Sequence, residues 1–392
     1  MSEDGELKRS LDLKDLILFG ISSILGSGGF NLIGKAVRAG GSDWPAFFAV
    51  VAALMMGAAW SYTRAHQESQ TNTSESDVIQ RVFGVTGERV AAGAILINGI
   101  ISISVILVFV TELIFPSAGW IAQVMFSTLL LGSMAVFSLY GIDLNKATVT
   151  GFTWLLVVVL TAAAGLGGWG ALKGMAITDG HTPSRHEAIS SLMYFFFILA
   201  GFDALTKFTD ESRDPEHEVP RAYFGSNVIS IVLVFGVAAA LFMWVPGLTE
   251  KQEANAIGHL FARFLGPSAV GIMRLLMIVF MLVTTFVVFL SSTRYLYGLS
   301  ESQEALSWMR SLNAAQAPWL AVAVVFAIGF IGLVINHIDV LVRLANGGFI
   351  VVMGLVAAAM AVIDWNAGSV VSTAVNAVTA AGFGGLLTAT VL

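Results

Sequence analysis

Three of the four residues in Gly26-Ser27-Gly28-Gly29 are glycines, and they interrupt a stretch that carries no charge from Leu16 to Gly34. Each glycine weakens a helix by roughly 1 kcal/mol relative to alanine, so the sequence predicts that a helix unwinds here. Unwinding frees the peptide N–H groups of Ser27, Gly28 and Gly29, and N–H groups at a helix break bind anions. The chemistry indicated is recognition of a carboxylate.

A second interruption, Ala200-Gly201-Phe202-Asp203, places a glycine and an acid at a comparable depth in a later apolar stretch. Unwound backbone is tolerated inside a membrane only where it is buried in protein or lines a cavity. The carbonyl groups of Ile24, Phe197 and Ala200 would then accept hydrogen bonds from an ammonium group. Together the two breaks suit a zwitterion, and an amino acid in particular. A close-packing face of small residues is the alternative for the first glycine cluster.

Polar side chains near the breaks extend this chemistry. Asp203 is an ionisable group inside a span, where charge is costly and usually faces a cavity, so we expect a functional role, with a structural hydrogen bond as the alternative. Ser291 and Ser292 could supply oxygen ligands to a sodium ion together with first-helix carbonyls. The alternative is that these serines bond locally within their helix.

Charges at the ends of spans mark possible gates and connectors. Asp210 and Glu211, at the inner end of the sixth span, could form an inner gate with Arg294, and a solvated charge cluster is the alternative. The longest polar stretch, from Arg64 to Glu88, is too short to fold alone. We expect it to be a solvated connector.

The elements that must position these residues follow from composition. Only 20 basic and 26 acidic residues occur among 392, and 56% of residues are hydrophobic. Charged residues make up 12% of the chain, against about one quarter in soluble proteins, so the chain needs lipid around it. The net charge of −6 argues against nucleic acid binding. No cysteine is present, which excludes disulfides and thiolate sites, and we predict no cofactor, metal or catalytic residue.

A helix that spans a bilayer needs about 20 apolar residues. Ten stretches without Asp, Glu, Lys or Arg cover residues 16–34, 44–63, 90–111, 113–142, 147–172, 222–249, 275–293, 311–338, 344–363 and 365–392. An eleventh, from Ala188 to Phe202, ends at Asp203 and is expected to continue to about Lys207. The predicted fold is an all-α polytopic membrane protein with about eleven transmembrane helices.

Two broken helices in corresponding positions predict an inverted repeat with the substrate near the membrane midplane. We expect a cytoplasmic N-terminal segment over residues 1–12, a first repeat over 13–172, a second over 185–363, and an additional C-terminal helix over 364–392. The start of the chain lacks a basic, cleavable signal, and basic residues are in excess on the assumed inner side. Ser184, three residues before Glu187, predicts a capping box that starts the sixth helix near Arg185.

The residues around both breaks resemble signatures of the amino acid, polyamine and organocation transporter superfamily. The run Gly20-Ile21-Ser22-Ser23-Ile24-Leu25-Gly26-Ser27-Gly28-Gly29-Phe30 is similar to its first-helix signature. The blocks Gly201–Ala204, Asp210–Pro215 and Val219–Arg221 resemble its sixth-helix region, and Ser291–Tyr297 resembles the end of its eighth helix. These ordered blocks cover most of the chain.

The resemblance implies a leucine-transporter-like fold of five plus five helices in which helices 1 and 6 are broken. It implies that Ser27 and Gly28 hold the substrate carboxylate, that Phe202 is a candidate gate, and that Asp203 occupies a position linked to proton or substrate response. The predicted substrate-binding residues are Ile24, Gly26, Ser27, Gly28, Gly29, Phe197, Ala200, Gly201, Phe202 and Asp203.

Two departures from the family are visible. Proton-coupled relatives often carry a lysine in the fifth helix, and residues 150–156 offer none, so the coupling ion is left open between proton and sodium. The chain also stops after its eleventh predicted span, whereas twelve are common in the family.

We therefore expect a symporter or exchanger that moves amino acids across a membrane by alternating access. A non-transporting amino acid sensor or scaffold, and a polyamine or organocation transporter, are the alternatives. An enzyme is disfavoured because paired carboxylates within spans and a nucleophile with its base are missing. The expected partners are an amino acid and the lipid bilayer. The sequence leaves open which amino acid is carried, the oligomeric state, and whether the membrane is plasma or internal.

Overall fold

The computed structural model describes residues 11–26, 29–69, 74–140, 146–174, 180–245, 247–302, 308–313 and 317–391. These residues form α-helices without a β-strand, as predicted. The helices are α1 (Leu13–Gly26), α2 (Gly29–Gly40), α3 (Trp44–Ser69), α4 (Ser74–Ile114), α5 (Trp120–Leu139), α6 (Lys146–Leu172), α7 (Arg185–Leu199), α8 (Pro215–Trp244), α9 (Glu250–Glu253), α10 (Ala256–Leu265), α11 (Ser268–Ser302), α12 (Trp319–Ile335), α13 (Ile338–Asn366) and α14 (Val370–Val391). A 3₁₀ helix, Phe202–Glu211, lies between α7 and α8.

The helix lengths identify an integral membrane protein with several spans. Within the described ranges, nine helical segments are long and apolar enough to cross a membrane. The other two predicted spans are present in altered form. The first is divided into α1 and α2, and α12 has 17 residues, which rise roughly 25 Å at 1.5 Å per residue.

Small residues bring α8 close to two neighbouring helices. A Cβ atom built on Gly20 of α1 would lie 2.6 Å from the Cβ of Ser226, and one built on Gly236 would lie 2.6 Å from the Cβ of Ala164 on α6. Lipid tails are as apolar as the surfaces of the helices, so the hydrophobic effect does not drive helices together in a membrane. Helices in lipid associate instead through such close backbone approach. These contacts place α8 between α1 and α6.

The prediction of a solvated connector over 64–88 is wrong for part of the stretch, which is helical and partly buried. α3 continues to Ser69, α4 already begins at Ser74, and Glu75 is only 3% exposed. Polar pairs stabilise the ends of the two helices, since the Ser69 hydroxyl donates to Asp77 at 2.6 Å. The described part of the stretch therefore forms the ends of two helices, which are buried around Glu75 and largely exposed from Gln80 to Thr86.

The predicted C-terminal helix, α14, is fixed to α3 and α13 by buried polar groups. Asp364 of α13 is fully buried and accepts hydrogen bonds from Arg64 at 2.6 Å, Ser372 at 2.5 Å and Asn376 at 2.8 Å. Ser61 of α3 donates to Asn376 at 2.7 Å. Because buried polar groups must be paired, this network fixes the position of α14 on the bundle.

Candidate functional site

The predicted break in the first helix is confirmed. α1 ends at Gly26 and α2 begins at Gly29. Ser27 and Gly28, which were predicted to hold the carboxylate, lie outside the described residues. That the first N–H groups of α2 are free and point toward the break stays a prediction.

The predicted break in the sixth helix is also confirmed. α7 starts with the expected capping box, in which the Glu187 N–H donates to the Ser184 hydroxyl and the Ser184 N–H donates to the Glu187 carboxylate at 2.8 Å. The helix ends at Leu199, Ala200 is extended, and Gly201 has φ +114°, which favours glycine. The chain then continues as the 3₁₀ helix.

The break in the sixth helix is in direct contact with the last turn of α1. A Cβ atom built on Gly201 would lie 2.8 Å from the carbonyl oxygen of Ser23 and 3.6 Å from the Cα of Ile24. Ile24, Phe197 and Ala200, whose carbonyl groups were predicted to bind an ammonium group, are each at most 1% exposed. Gly201 is therefore required both by its φ angle and by the close approach of α1.

A hydroxyl group that the sequence analysis did not single out lies at the first break. A Cβ atom built on Gly26 would overlap the Thr284 side chain of α11, which is 6% exposed. The only signal in the sequence was a threonine at the middle of a long apolar stretch. Thr284 is thus an α11 side chain that the structure brings against the end of α1.

The serines predicted as cation ligands lie farther along α11. Ser292 is eight residues beyond Thr284, roughly 12 Å along the helix. It is 7% exposed, and its hydroxyl would lie 2.7 Å from a Cβ atom built on Gly99 of α4. Ser291 is half-buried. The cation site stays a prediction, and the structure places Ser292 against α4.

Phe202 and Asp203 belong to a buried group of aromatic and acidic side chains. Phe202 is fully buried, and its ring centroid lies 5.3 Å from that of Tyr62 and 6.1 Å from that of Tyr223. Asp203 is 8% exposed and, like Glu75, interacts electrostatically with both tyrosines. Sequence reasoning missed Tyr62, Glu75 and Tyr223 because they come from helices that only the fold brings together.

The start of α1 is bound at the membrane face that holds the described N-terminus, called here the N-terminal face. Leu11 forms a parallel β-bridge with Ser212. The Glu218 carboxylate of α8 accepts hydrogen bonds from the Leu13 N–H at 3.2 Å, the Ser212 hydroxyl at 2.9 Å and the Asp214 N–H at 3.3 Å. We call Leu13, Ser212, Asp214 and Glu218 the Glu218 junction.

The residues predicted for an inner gate are near this junction in sequence. The side chains of Asp210 and Glu211 lie outside the described part of the structure, although their backbone is in the 3₁₀ helix. Arg294 is exposed on α11. That gate stays a prediction, and Glu218 is the acid that the structure shows bound to α1.

The other half of the first helix is bound at the opposite membrane face. The Glu253 carboxylate of α9 forms ion pairs with Lys35, at 3.5 Å, and with Arg38, both on α2. Glu253 is 4% exposed, and a Cβ atom built on Gly34 would lie 2.5 Å from its carbonyl oxygen. The Lys35 ammonium group also lies 5.6 Å from the centre of the Phe109 ring. We call Gly34, Lys35, Arg38 and Glu253 the Glu253 junction.

Metal chemistry finds no support in the described ranges, where no group of three or more His, Asp or Glu side chains has the arrangement of a metal centre. The arrangement instead combines two neighbouring helix breaks with one carboxylate junction at each membrane face. Such a site can bind and release a small charged molecule.

Comparisons with known proteins agree with this geometry. A family model described as amino acid permease matches residues 11–391. The inner membrane transport protein YbaT of Escherichia coli strain K12 is 23% identical over 290 residues, which are 68% of this chain and 63% of that protein, less than two thirds of its length. The crystal structure of MhsT in complex with L-phenylalanine is 14% identical, with a TM-score of 0.67 over 98% of this chain and 99% of MhsT. The predicted leucine-transporter-like fold is confirmed.

Proposed function

This chain belongs to the amino acid permease family, and we propose that it carries amino acids across a membrane by alternating access. The family and the fold are those of transporters and not of enzymes. In alternating access, a site between two broken helices opens first to one face of the membrane and then to the other.

The observation that carries the proposal is the contact between the two breaks. Gly201 lies against the backbone of Ser23 and Ile24, so the break in the sixth helix contacts the last turn of α1, and the described part of α2 begins three residues after Gly26. Carbonyl oxygens accept hydrogen bonds from an ammonium group, and N–H groups at a helix start bind a carboxylate. This pairing suits the two charged groups that every α-amino acid carries.

The same N–H and carbonyl groups restrict the chemical class of the substrate. A polyamine has no carboxylate to occupy the N–H groups of the first break, so we favour an α-amino acid. MhsT, which shares the fold, is solved with L-phenylalanine. Asp203 is the one acid among the predicted substrate-binding residues, which favours a neutral substrate side chain over a basic one.

The proposed moving parts are the two repeats, 13–172 and 185–363, with residues 364–392 fixed to the bundle through Asp364. We propose that residues 1–12 and the N-terminal face are cytoplasmic, in agreement with the excess of basic residues on that side. Transport would be symport or exchange, coupled to a proton through Asp203 or to sodium near Ser291 and Ser292. The family itself does not fix the ion.

Uptake of labelled amino acids into liposomes that contain the purified protein tests the proposal. Gly201→Ala should reduce uptake about tenfold or more, because the new methyl group meets the Ser23 carbonyl and displaces the site. Gly368→Ala is the matched control, since Gly368 also has a positive φ, +75°, but no atom lies within 4 Å of its Cβ position. Uptake by the control should stay within about twofold of the unchanged protein.

The possible outcomes separate the alternatives. Binding of an amino acid without uptake would identify a sensor, and uptake of polyamines alone would identify an organocation transporter. Dependence on an imposed proton or sodium gradient identifies the coupling ion, and counterflow without either gradient identifies an exchanger. Equal uptake by Gly201→Ala and Gly368→Ala would contradict the site assignment.

A further inference from the structure

Each half of the broken first helix is bound by one glutamate from a distant part of the chain. Glu218 accepts a hydrogen bond from α1 across 205 residues, and Glu253 bonds to α2 across 215 residues. The halves meet at the break between Gly26 and Gly29, so either half can move without bending a continuous helix.

The Glu218 junction joins three elements through one carboxylate. Its donors come from the start of α1, from the linker after the 3₁₀ helix and from the N-terminus of α8. If α1 moves away, the bond from Leu13 breaks, and so does the backbone bond from the Arg213 N–H to the Leu11 carbonyl oxygen, which is 3.0 Å long. The bonds from Ser212 and Asp214 to Glu218 can stay in place. The junction can therefore open and close again around a carboxylate that keeps its position.

Ion pairs to the buried carboxylate of Glu253 hold the Glu253 junction together. The Glu253 side chain is 5% exposed, and that of Lys35 is 16% exposed. Separating α2 from α9 would leave a buried carboxylate without its cations, which is costly unless water enters. Opening at this face must therefore expose Glu253 and Lys35 to water.

We propose that Glu218 and Glu253 are the two gate residues of this chain and that their junctions open alternately. The inference rests on the proposed function, because only an alternating site needs one closed face at a time. Release of the Glu218 junction frees α1 and opens the site to the N-terminal face. Release of the Glu253 junction frees α2 and opens it to the opposite face. Both junctions are closed in the structure described here.

Single cysteines can report each opening because the sequence contains no cysteine of its own. Ser226→Cys places a thiol on α8 opposite Gly20 of α1, and Ala256→Cys places one on α10 opposite Gly34 of α2. Both positions are 0% exposed, so labelling requires that the facing helix half moves away. The probe is a membrane-impermeant maleimide added to one face of sealed vesicles at a time.

Glu218→Ala should speed labelling at position 226 about tenfold, because it removes all three hydrogen bonds of the junction. It should slow labelling at position 256, since a population that shifts toward one open state leaves the other. Glu253→Ala should do the reverse. Glu216→Ala and Glu250→Ala replace exposed acids of the same two helices and should leave both rates within about twofold. Where Glu253→Ala does not fold, Glu253→Gln is measured instead.

Faster labelling at both positions would overturn the proposal, because it would show that the variant loosens the whole protein. Unchanged labelling at both positions would also overturn it, because neither face would then have opened. The labelling rates can be measured without any substrate. Reciprocal labelling in a protein that takes up no amino acid would therefore refute the proposed function and leave the gates standing. Amino acid uptake with rates equal to those of the control variants would refute the gates alone.

Discussion

The two junctions hold the two halves of one helix with the same chemical group but with different donors. Glu218 is half-buried and accepts hydrogen bonds from two peptide N–H groups and one hydroxyl group, all of them neutral. Glu253 is 4% exposed and bonds to two cationic side chains. The first junction therefore depends on backbone position, and the second depends on charge.

This difference matters for how each face can open. Hydrogen bonds to peptide groups weaken steeply with distance and angle, so a small displacement of α1 is enough to lose the bond from Leu13. Ion pairs fall off more slowly with distance, and the low dielectric around Glu253 strengthens them. We expect the Glu218 junction to respond to the number and placement of acceptor atoms and the Glu253 junction to respond to the sign of the charges.

Charge reversal at Glu253 should have the largest effect. Glu253→Lys places a third cation beside Lys35 and Arg38 in a buried place and should cost about 3–5 kcal/mol of stability. The double variant Lys35→Glu with Glu253→Lys restores an opposite pair and should recover part of that loss. The measurement is the apparent melting temperature of the purified protein in detergent, together with maleimide labelling at position 256.

Glu218→Lys makes the same charge reversal at the other junction, where the donors are neutral. It removes both acceptor oxygens, and no second substitution can restore the junction by reversal, because peptide N–H donors cannot become acceptors. A double reversal that gives no recovery at the Glu253 junction would show that shape, and not charge, holds α2.

Replacing either glutamate with glutamine should destabilise the protein less than charge reversal does, and the loss should differ between the two junctions. Glu218→Gln keeps one carbonyl oxygen as acceptor and should cost about 1 kcal/mol. Glu253→Gln removes the carboxylate charge that pairs with both Lys35 and Arg38 and should cost about 2–3 kcal/mol. Labelling should therefore rise more at position 256 of Glu253→Gln than at position 226 of Glu218→Gln. A larger rise at position 226 would contradict the distinction between backbone position and charge.

The fold was largely predictable because its signals are local. Uncharged stretches identified the spans, the glycines at 26, 28, 29 and 201 identified the two breaks, and Ser184 with Glu187 identified the start of α7. The part of the polar stretch around Glu75 was misjudged, because composition does not reveal that Glu75 is buried and interacts with Tyr62 and Tyr223.

The two junctions could not be predicted, because they join residues more than 200 positions apart. Charge patterns at the end of the sixth span directed attention to Asp210 and Glu211. The acid that binds α1 is Glu218, in the first turn of the next helix, and its donors are peptide groups that a sequence does not distinguish. Glu253 was not singled out from the sequence, because its cations lie on α2, more than 200 residues earlier in the chain.

The smallest effect should come from Arg38→Lys, which separates the contributions of the two cations. Arg38 is 46% exposed while Lys35 is 16% exposed, and exposed ion pairs contribute about 0–1 kcal/mol. Lys35 also packs over the Phe109 ring, so it should hold Glu253 when the guanidinium group is gone. Labelling at position 256 should change less than about twofold, whereas Lys35→Ala should raise it more. If Arg38→Lys opens this face as fully as Glu253→Ala, then planar two-point pairing by arginine holds α2, and the Glu253 junction depends on geometry as the Glu218 junction does.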